Sequence, residues 1–460
     1  MKHSFLNDKK SQRIIDLLEQ GGATAVYFVG GAVRDHLLEH ADVKDIDIEV
    51  YGLDYGEIVA LLAPHFRVGL VGRSFGTIKV DQRIDIGIPR RESKQGHGHK
   101  GFDVTPDPNM TFAEAARRRD FTINAIGMKR DGTPVDPYHG IDDIRKKTLR
   151  ATSDAFGEDP LRVLRGMQFA SRFGFQLEPS TVLMCRLLRE EFATLSPERV
   201  WGEWEKWALK SKFPSAGLRV LEETGWLACF PELAALVDTP QHPHWHGEGN
   251  AFEHVKAVVD AAEKIATIKK LTGAQKLVLM FAALLHDVGK PVTLSEKEPG
   301  VWYSPGHAAA GVPLAKAFLE KMLAPGWVVE QVLPLVREHQ AHVVINRDET
   351  PDDTMIRRLA DRLAPATLRQ WADLCAADAA GCQTQCRPHS LEIWLENAKR
   401  LGILDRPPTP ILLGRDLIAL GMSPGPEMGT ILKAAFEAQL DGEFLTHKQA
   451  IEWLKTHVAV

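Results

Sequence analysis

Long apolar runs are missing from this chain. No stretch approaches the ~18 consecutive apolar residues that mark a bilayer span, and the opening MKHSFLNDKK lacks the apolar core of a signal peptide. A cytoplasmic protein with no membrane partner is expected. Cysteine is scarce: Cys185, Cys229, Cys375, Cys382 and Cys386 are five in 460 residues. An odd, scattered set reads as reduced thiols and not as a disulfide framework. Cys382 and Cys386 could join Cys375 on a metal, but no paired CxxC knuckle supports this, so separate thiols are the expectation. A basic excess is missing too. Lys and Arg number 56 against 61 Asp and Glu, a formal net charge of −5, which on its face disfavours a nucleic-acid partner. Internal repeats and low-complexity tracts are also absent. What remains is ordinary globular composition, 44% hydrophobic and 25% charged. At roughly 100–200 residues per domain, about three or four domains are expected.

The first third alternates β-type runs with glycine turns: AVYFV (25–29), DIDIEVY (45–51), GTIKV (76–80) and RIDIGI (83–88). After about Asp154 apolar residues recur at three and four, so a small α+β head precedes an all-helical body. Pro, Gly and His crowd DTPQHPHWHGEGN (238–250), where no regular element survives. Further boundaries fall near CRPHS (386–390) and DRPPTP (405–410).

Two chemistries are visible. In FVGGAVRD (28–35), Gly30 and Gly31 join a strand to a helix, letting backbone approach a ligand while the helix start offers N–H groups and Arg34 to an anion. A tight turn alone accounts for the glycines equally well. In KDIDIEV, however, Asp45 and Asp47 are two apart on a strand and share one face, with Ile46 and Ile48 turned to the core. Paired acids repel unless a cation joins them, and Mg²⁺ suits carboxylates plus phosphates. If the hairpin carrying Asp85 lies beside that strand, three carboxylates converge, as nucleotidyl transfer on two metals requires; otherwise Asp85 is a surface acid. Residues 89–110 are glycine-spaced and basic (Arg90, Arg91, Lys94, Lys100), a mobile loop able to meet phosphates. AARRRDFTINA adds Arg118 and Arg119 for phosphate and Asp120 and Asn124 for ribose hydroxyls, against the alternative of a solvated basic face. In the body, His254, His286–Asp287, His307, His339 and Asp378 recur in order, with imidazole and carboxylate donors suited to a divalent metal.

GGAVRD (30–35), DID (45–47), RRDFTINA (118–125), DPYHG (136–140), EDPLR (158–162) and PERVWGEWEK (197–206) follow one another as in the class II tRNA nucleotidyltransferase and bacterial poly(A) polymerase superfamily, which the first half resembles. The resemblance implies a palm head with a mixed five-stranded sheet, then helical neck, HD domain and tail at 1–150, 151–237, 238–390 and 391–460. It makes Asp45 and Asp47 ligands of Mg²⁺, Asp85 the third carboxylate, and Gly31, Arg34 and Arg119 triphosphate contacts. Glu158, Asp159 and Arg162 match EDxxR, in which Asp and Arg read the base edge; Arg165 lies one turn on. Arg199, Glu203 and Lys206 match a helix that supports the neck. Tyr138 and His139 depart from the simpler glycine pair usual at that turn.

HDVGK (286–290) and GHAAAG (306–311) resemble HD-superfamily phosphohydrolases. That implies His254, His286, Asp287 and Asp378 as core ligands of a divalent ion such as Ni²⁺, Mn²⁺ or Mg²⁺. His307 and His339 become second-metal or substrate contacts, and His242, His244, His246 and His342 shell or loop residues. Head and HD module together resemble HD-containing bacterial CCA-adding enzymes, implying tRNA, CTP and ATP as partners, a monomer or homodimer, and an accompanying phosphatase or 2′,3′-cyclic phosphodiesterase. GRDLIALGMSPGPEMG (414–429) resembles the tail of such proteins, and no basic tail of the poly(A) polymerase kind follows. The basic residues at 89–119, with Arg162 and Arg165, supply locally the charge that the net −5 lacks. A-only or poly(A) addition is the near alternative, and a phosphohydrolase with a tRNA-binding head the distant one.

Overall fold

A computed structural model describes residues 5–39, 45–71, 77–81, 83–94, 102–242, 247, 249–343, 350–382 and 391–457. The chain divides into two compact units, Met1–Cys229 and Phe230–Val460.

The first unit is built on a mixed sheet of seven strands. They are β1 (Ala25–Val29), β2 (Ile46–Tyr51), β3 (Val68–Val71), β4 (Thr77–Val80), β5 (Ile84–Gly87), β8 (Gly127–Met128) and β9 (Pro134–Val135), in the order β3-β4-β5-β2-β1-β8-β9. The expected five becomes seven partly because β8 and β9 are two residues each, too short to leave an alternation in sequence. Within this sheet, among the described residues, only β2 and β5 pair in parallel. In β2, Ile46, Ile48 and Val50 are buried while Asp47 and Glu49 between them are half-exposed. The buried set packs with Phe28, Ile78, Ile84 and Ile86 as one core, so the pleat itself holds the acids on the opposite face. The stretch expected to be a mobile loop is instead a ribbon: β6 (Arg90–Lys94) pairs antiparallel with β7 (Phe102–Pro106). Residues 95–101, which join these two strands, lie outside the described residues.

Behind the sheet, the helix Leu161–Phe173 packs on Pro197–Lys210 and Pro214–Glu223. Gly217 permits the second contact, since a Cβ there would fall 2.0 Å from Ser171 Oγ and 2.7 Å from the Met167 carbonyl.

Among the described residues, the regular structure of the second unit is helical apart from a ribbon of Ser295–Glu298 with Val301–Tyr303. Its centre is the helix Gly273–Leu285, buried without interruption from Leu277 to Leu285. A helix apolar on every side must sit inside others; here Ala251–Ile268, Gly326–Glu338 and Leu368–Gly381 pack against it. Among the described residues no helix is long and apolar enough to cross a membrane.

Candidate functional site

In the head, Asp47 and Asp85 are direct partners across the parallel β2–β5 pair, and Val29 faces Asp47 across β1. Asp45 is exposed just before β2. Burial, with Asp85 and Asp45 nearby, raises the pKa of Asp47 against the opposing pull of Arg119 and Lys79. A group of acids under mutual repulsion on one sheet face fits a divalent cation. The glycine turn lies against it: Gly30 has φ 71° and ψ −141°, and a Cβ there would stand 2.9 Å from Asp47 Oδ2 and 3.9 Å from Arg119 Nη1. Two neighbours escaped the sequence reading. Glu49 continues the 45–47 alternation and stands 3.5 Å from Arg119 Nη2. Lys79 pairs in register with Asp85, its Nζ 3.5 Å away.

The residues expected to hold phosphate and ribose form a buried network. Arg34 is 5% exposed; it donates to Asn124 Oδ1 at 2.7 Å and to Asp35 at 2.8 Å. Its guanidinium lies 5.1 and 5.0 Å from the Phe169 and Phe173 ring centroids. Arg172 pairs with Asp35 at 2.7 Å. Asp120 Oδ1 accepts from the Phe121 backbone N–H and Asn124 Nδ2, and its Oδ2 from Arg165 Nε at 2.7 Å. Burial pushes the Asp120 pKa up, but Arg165 and these donors bring it below the usual range. Arg119 donates to the Asn124 carbonyl at 3.0 Å.

Arg162 N donates to the Asp159 carbonyl at 3.0 Å, but the two side chains take different partners. Asp159 Oδ2 accepts from Arg199 at 2.7 Å while its Oδ1 caps Leu161 N. Arg162 donates to the carbonyls of Ala155 and Arg118, and Glu158 pairs with Arg118. Lys206 pairs with buried Glu203 at 2.8 Å. At the DPYHG turn, Asp136 accepts from the N–H groups of Gly140 and Ile141, His139 takes φ 59°, and Tyr138 donates to the Ala113 carbonyl. The departure is thus absorbed by local hydrogen bonding.

In the second unit all six expected metal-type residues converge. His286 caps the buried central helix, and Asp287 follows it inward. His254 Nε2 is 2.9 Å from Asp378 Oδ1 and 3.8 Å from Asp287 Oδ2. His286 Nε2 lies 3.2 Å from Asp287 Oδ2 without hydrogen-bonding to it. On the other side of Asp287, Oδ1 is 3.2 Å from His307 Nε2 and 3.9 Å from His339 Nε2. The Nδ1 atoms of His286, His307 and His339 face the carbonyls of Ala283, Ser304 and Val336 at 2.7–2.8 Å. Donation there leaves each Nε2 lone pair turned inward. His307 and His339 then oppose two lone pairs at 3.2 Å, an arrangement that a cation or proton relieves. Burial opposes charge on His286, yet Asp287 and Asp378 push its pKa up to about 10. Burial, with His286 and His307 beside it, holds His339 down to about 3. Asp287 joins two donor groups, one with His254 and His286 and one with His307 and His339. Imidazole and carboxylate donors in this number fit a divalent ion.

Lys290, which sequence reasoning missed, stands 2.7 Å from Asp287 Oδ2 and donates to Gln241 Oε1 at 2.6 Å. The signal was its place three residues after Asp287 in HDVGK. His242 packs on Tyr303 and His342 on Trp371. His244, His246, Cys386 and Lys100 lie outside the described residues, and Cys375 turns its thiol to the His339 carbonyl.

A mixed sheet grouping Asp45, Asp47 and Asp85, followed by a helical cluster of His and Asp able to hold a metal ion, is the layout of a nucleotidyltransferase head joined to an HD module. Comparison with known proteins agrees. Residues 26–150 match the Poly A polymerase head domain, 174–236 the Probable RNA and SrmB-binding site of polymerase A, and 251–366 the HD domain. The chain is 37% identical over 368 residues to the Multifunctional CCA protein of Aliivibrio salmonicida, covering 77% of this chain and 85% of that one. It is 35% identical over 426 residues to the Multifunctional CCA protein of Xanthomonas campestris, covering 89% and 96%. It belongs to the multifunctional CCA protein family. Its fold is also that of the Bacillus stearothermophilus CCA-adding enzyme in complex with CTP (TM-score 0.65, 24% identity, 99% and 98% covered). The Thermotoga maritima CCA-adding enzyme complexed with tRNA shares it too (TM-score 0.57, 18% identity, 98% and 97% covered).

Proposed function

We propose that this chain adds CCA to tRNA 3′ ends from CTP and ATP without a nucleic-acid template, and hydrolyses phosphate esters at its HD centre. The observation that carries the first activity is the Asp47–Asp85 pair set beside the Gly30 turn. The tRNA 3′-hydroxyl oxygen bonds to the α-phosphorus, the bond to the bridging oxygen breaks, and pyrophosphate leaves with that electron pair. Asp45, Asp47 and Asp85 would hold Mg²⁺, which neutralises developing charge and favours the attacking alkoxide. Gly30 and Gly31 let the triphosphate approach backbone, and Arg119, held between Glu49 and the Asn124 carbonyl, presents its guanidinium at the same turn. Arg34, through Asn124 and Asp120, locks the turn to the Leu161–Phe173 helix. Asp159 and Arg162 read the base edge; a site that orients its polar groups this firmly rejects a base that leaves them unpaired. The division of labour follows 1–150, 151–237, 238–390 and 391–460. The enzyme works in the cytoplasm.

His254, His286, Asp287 and Asp378 would hold a divalent ion that activates water for phosphate-ester hydrolysis. Lys290 and Gln241 fix the Asp287 carboxylate, and His307 and His339 face the substrate side or a second ion. The buried, inward-facing Nε2 atoms support this reading.

Extension of a tRNA lacking CCA, with CTP, ATP or both, read at nucleotide resolution, tests the first activity. Asp45→Ala or Asp47→Ala is expected to abolish incorporation while hydrolysis of 2′,3′-cyclic phosphate persists; His286→Ala is expected to do the reverse. Full incorporation by either Asp variant refutes the assignment, and failure with CTP alone would leave A-only addition.

A further inference from the structure

One thiol stands against the HD centre without a part in the chemistry above. Cys382 is the C-cap of the helix Leu368–Gly381, four residues after Asp378, so both sit on the same side of that helix one turn apart. That side faces the helix Ala251–Ile268, which carries His254. The two helices approach closely because Gly381 has no side chain: a Cβ there would meet Val258 Cγ2 at 2.5 Å and Val258 N at 3.0 Å. Val258 is one turn past His254. The outcome is that His254, Asp378 and Cys382 each offer a donor atom, all within 4.8 Å of one another. The adjoining donor group points the same way, since His286 Nε2 is fully buried and makes no hydrogen bond. Cys375, one turn before Asp378 on the same helix, is committed elsewhere, its Sγ 3.1 Å from the His339 carbonyl.

We propose that Cys382 is a ligand of the HD-centre metal on its His254–Asp378 side, giving an N/O/S donor set that takes a borderline transition ion such as Co²⁺, Zn²⁺ or Ni²⁺ in preference to Mg²⁺. The proposal rests on the reading of the HD centre as a metal site. A thiolate donor does nothing for Mg²⁺, which selects oxygen ligands, but strengthens binding of softer ions.

The test is the absorption spectrum of the full chain, stripped of metal and loaded with one equivalent of Co²⁺. Visible ligand-field bands report a bound ion whatever its donors, and a near-ultraviolet thiolate-to-Co²⁺ charge-transfer band reports sulfur. Wild type is expected to show both. Cys382→Ser is expected to keep the visible bands and lose the charge-transfer band, and Cys375→Ser to keep both. Nucleotide incorporation by the head serves as the folding control for each variant. Visible bands without charge transfer in wild type, or charge transfer that survives in Cys382→Ser, overturns the proposal and leaves the HD metal centre standing. No visible bands in wild type overturns the metal centre itself.

Discussion

Replacing Gly30 by alanine tests the geometry that joins the triphosphate turn to the acids. Gly30 sits at φ 71° and ψ −141°, a region L side chains avoid, and holding a non-glycine residue there costs about 1–3 kcal/mol. The added methyl would lie 2.9 Å from Asp47 Oδ2, inside van der Waals contact, and the obstacle is a carboxylate oxygen on a paired strand, not the free end of a flexible chain. Relief requires rotating the 30–31 peptide or turning Asp47 away from Asp85. At about 2–4 °C per kcal/mol for a unit of this size, melting should fall by roughly 2–12 °C. On the proposed mechanism either rearrangement moves a group that positions the reacting phosphate, and a misplacement of about 1 Å can cost on the order of 100-fold in rate. The assay is steady-state incorporation of CTP into tRNA lacking CCA, with thermal melting of the same preparation; the loss should fall on kcat, and HD-centre hydrolysis should be unchanged. An alanine variant with wild-type melting and wild-type kcat would show that the turn does not constrain Asp47.

Asp47→Asn should stabilise the metal-free protein at neutral pH. Because the folded pKa of Asp47 is raised, its ionisation weakens folding as pH climbs from the unfolded value through the folded one, so in EDTA the melting gap between variant and wild type should widen over that window and close below it; a gap independent of pH refutes this. Gly289→Ala should unfold or loosen the HD centre, since a Cβ there would lie 2.0 Å from the His307 carbonyl and 2.5 Å from Gly311 N, both backbone atoms. Hydrolysis and metal binding should drop sharply while CCA addition continues, and retained hydrolysis would show that the His307 helix can shift without cost.

Asp45 and Asp47 were legible because β2 alternates: Ile46 and Ile48 fill the core and leave the acids on the other face, where Glu49, which was not singled out, continues the row. Asp85 was legible only on the condition that its hairpin lay beside that strand, and the parallel β2–β5 register sets it opposite Asp47. The order His254, His286–Asp287, His307, His339, Asp378 likewise sufficed, because each stands at a helix end or inward face around one buried helix. Pair identities were not legible. Asp120 finds Arg165 and Asp35 finds Arg172 across 45 and 137 residues, and no local spacing encodes such contacts. Cys382 was set aside as a separate thiol because its nearness to His254 depends on how closely two helices pack, which Gly381 decides. The β6–β7 ribbon was misread because the glycines at 96, 98 and 101 and the basic residues around them read as a loop and outweighed two five-residue strands.

The two sites place charge by the same physical device. Each needs acids or lone pairs brought closer than they would stand unaided: Asp47 beside Asp85 in the head, His307 Nε2 against His339 Nε2 in the second unit. In each, a glycine removes the last steric obstacle, Gly30 against Asp47 and Gly289 against the His307 carbonyl. The repulsion so stored is what a cation relieves, so the same contacts that weaken the metal-free fold strengthen ion binding. Gly30 and Gly289 lie in separate compact units, Met1–Cys229 and Phe230–Val460. Metal affinity, stability and activity should therefore change together at each site, since one set of contacts governs all three.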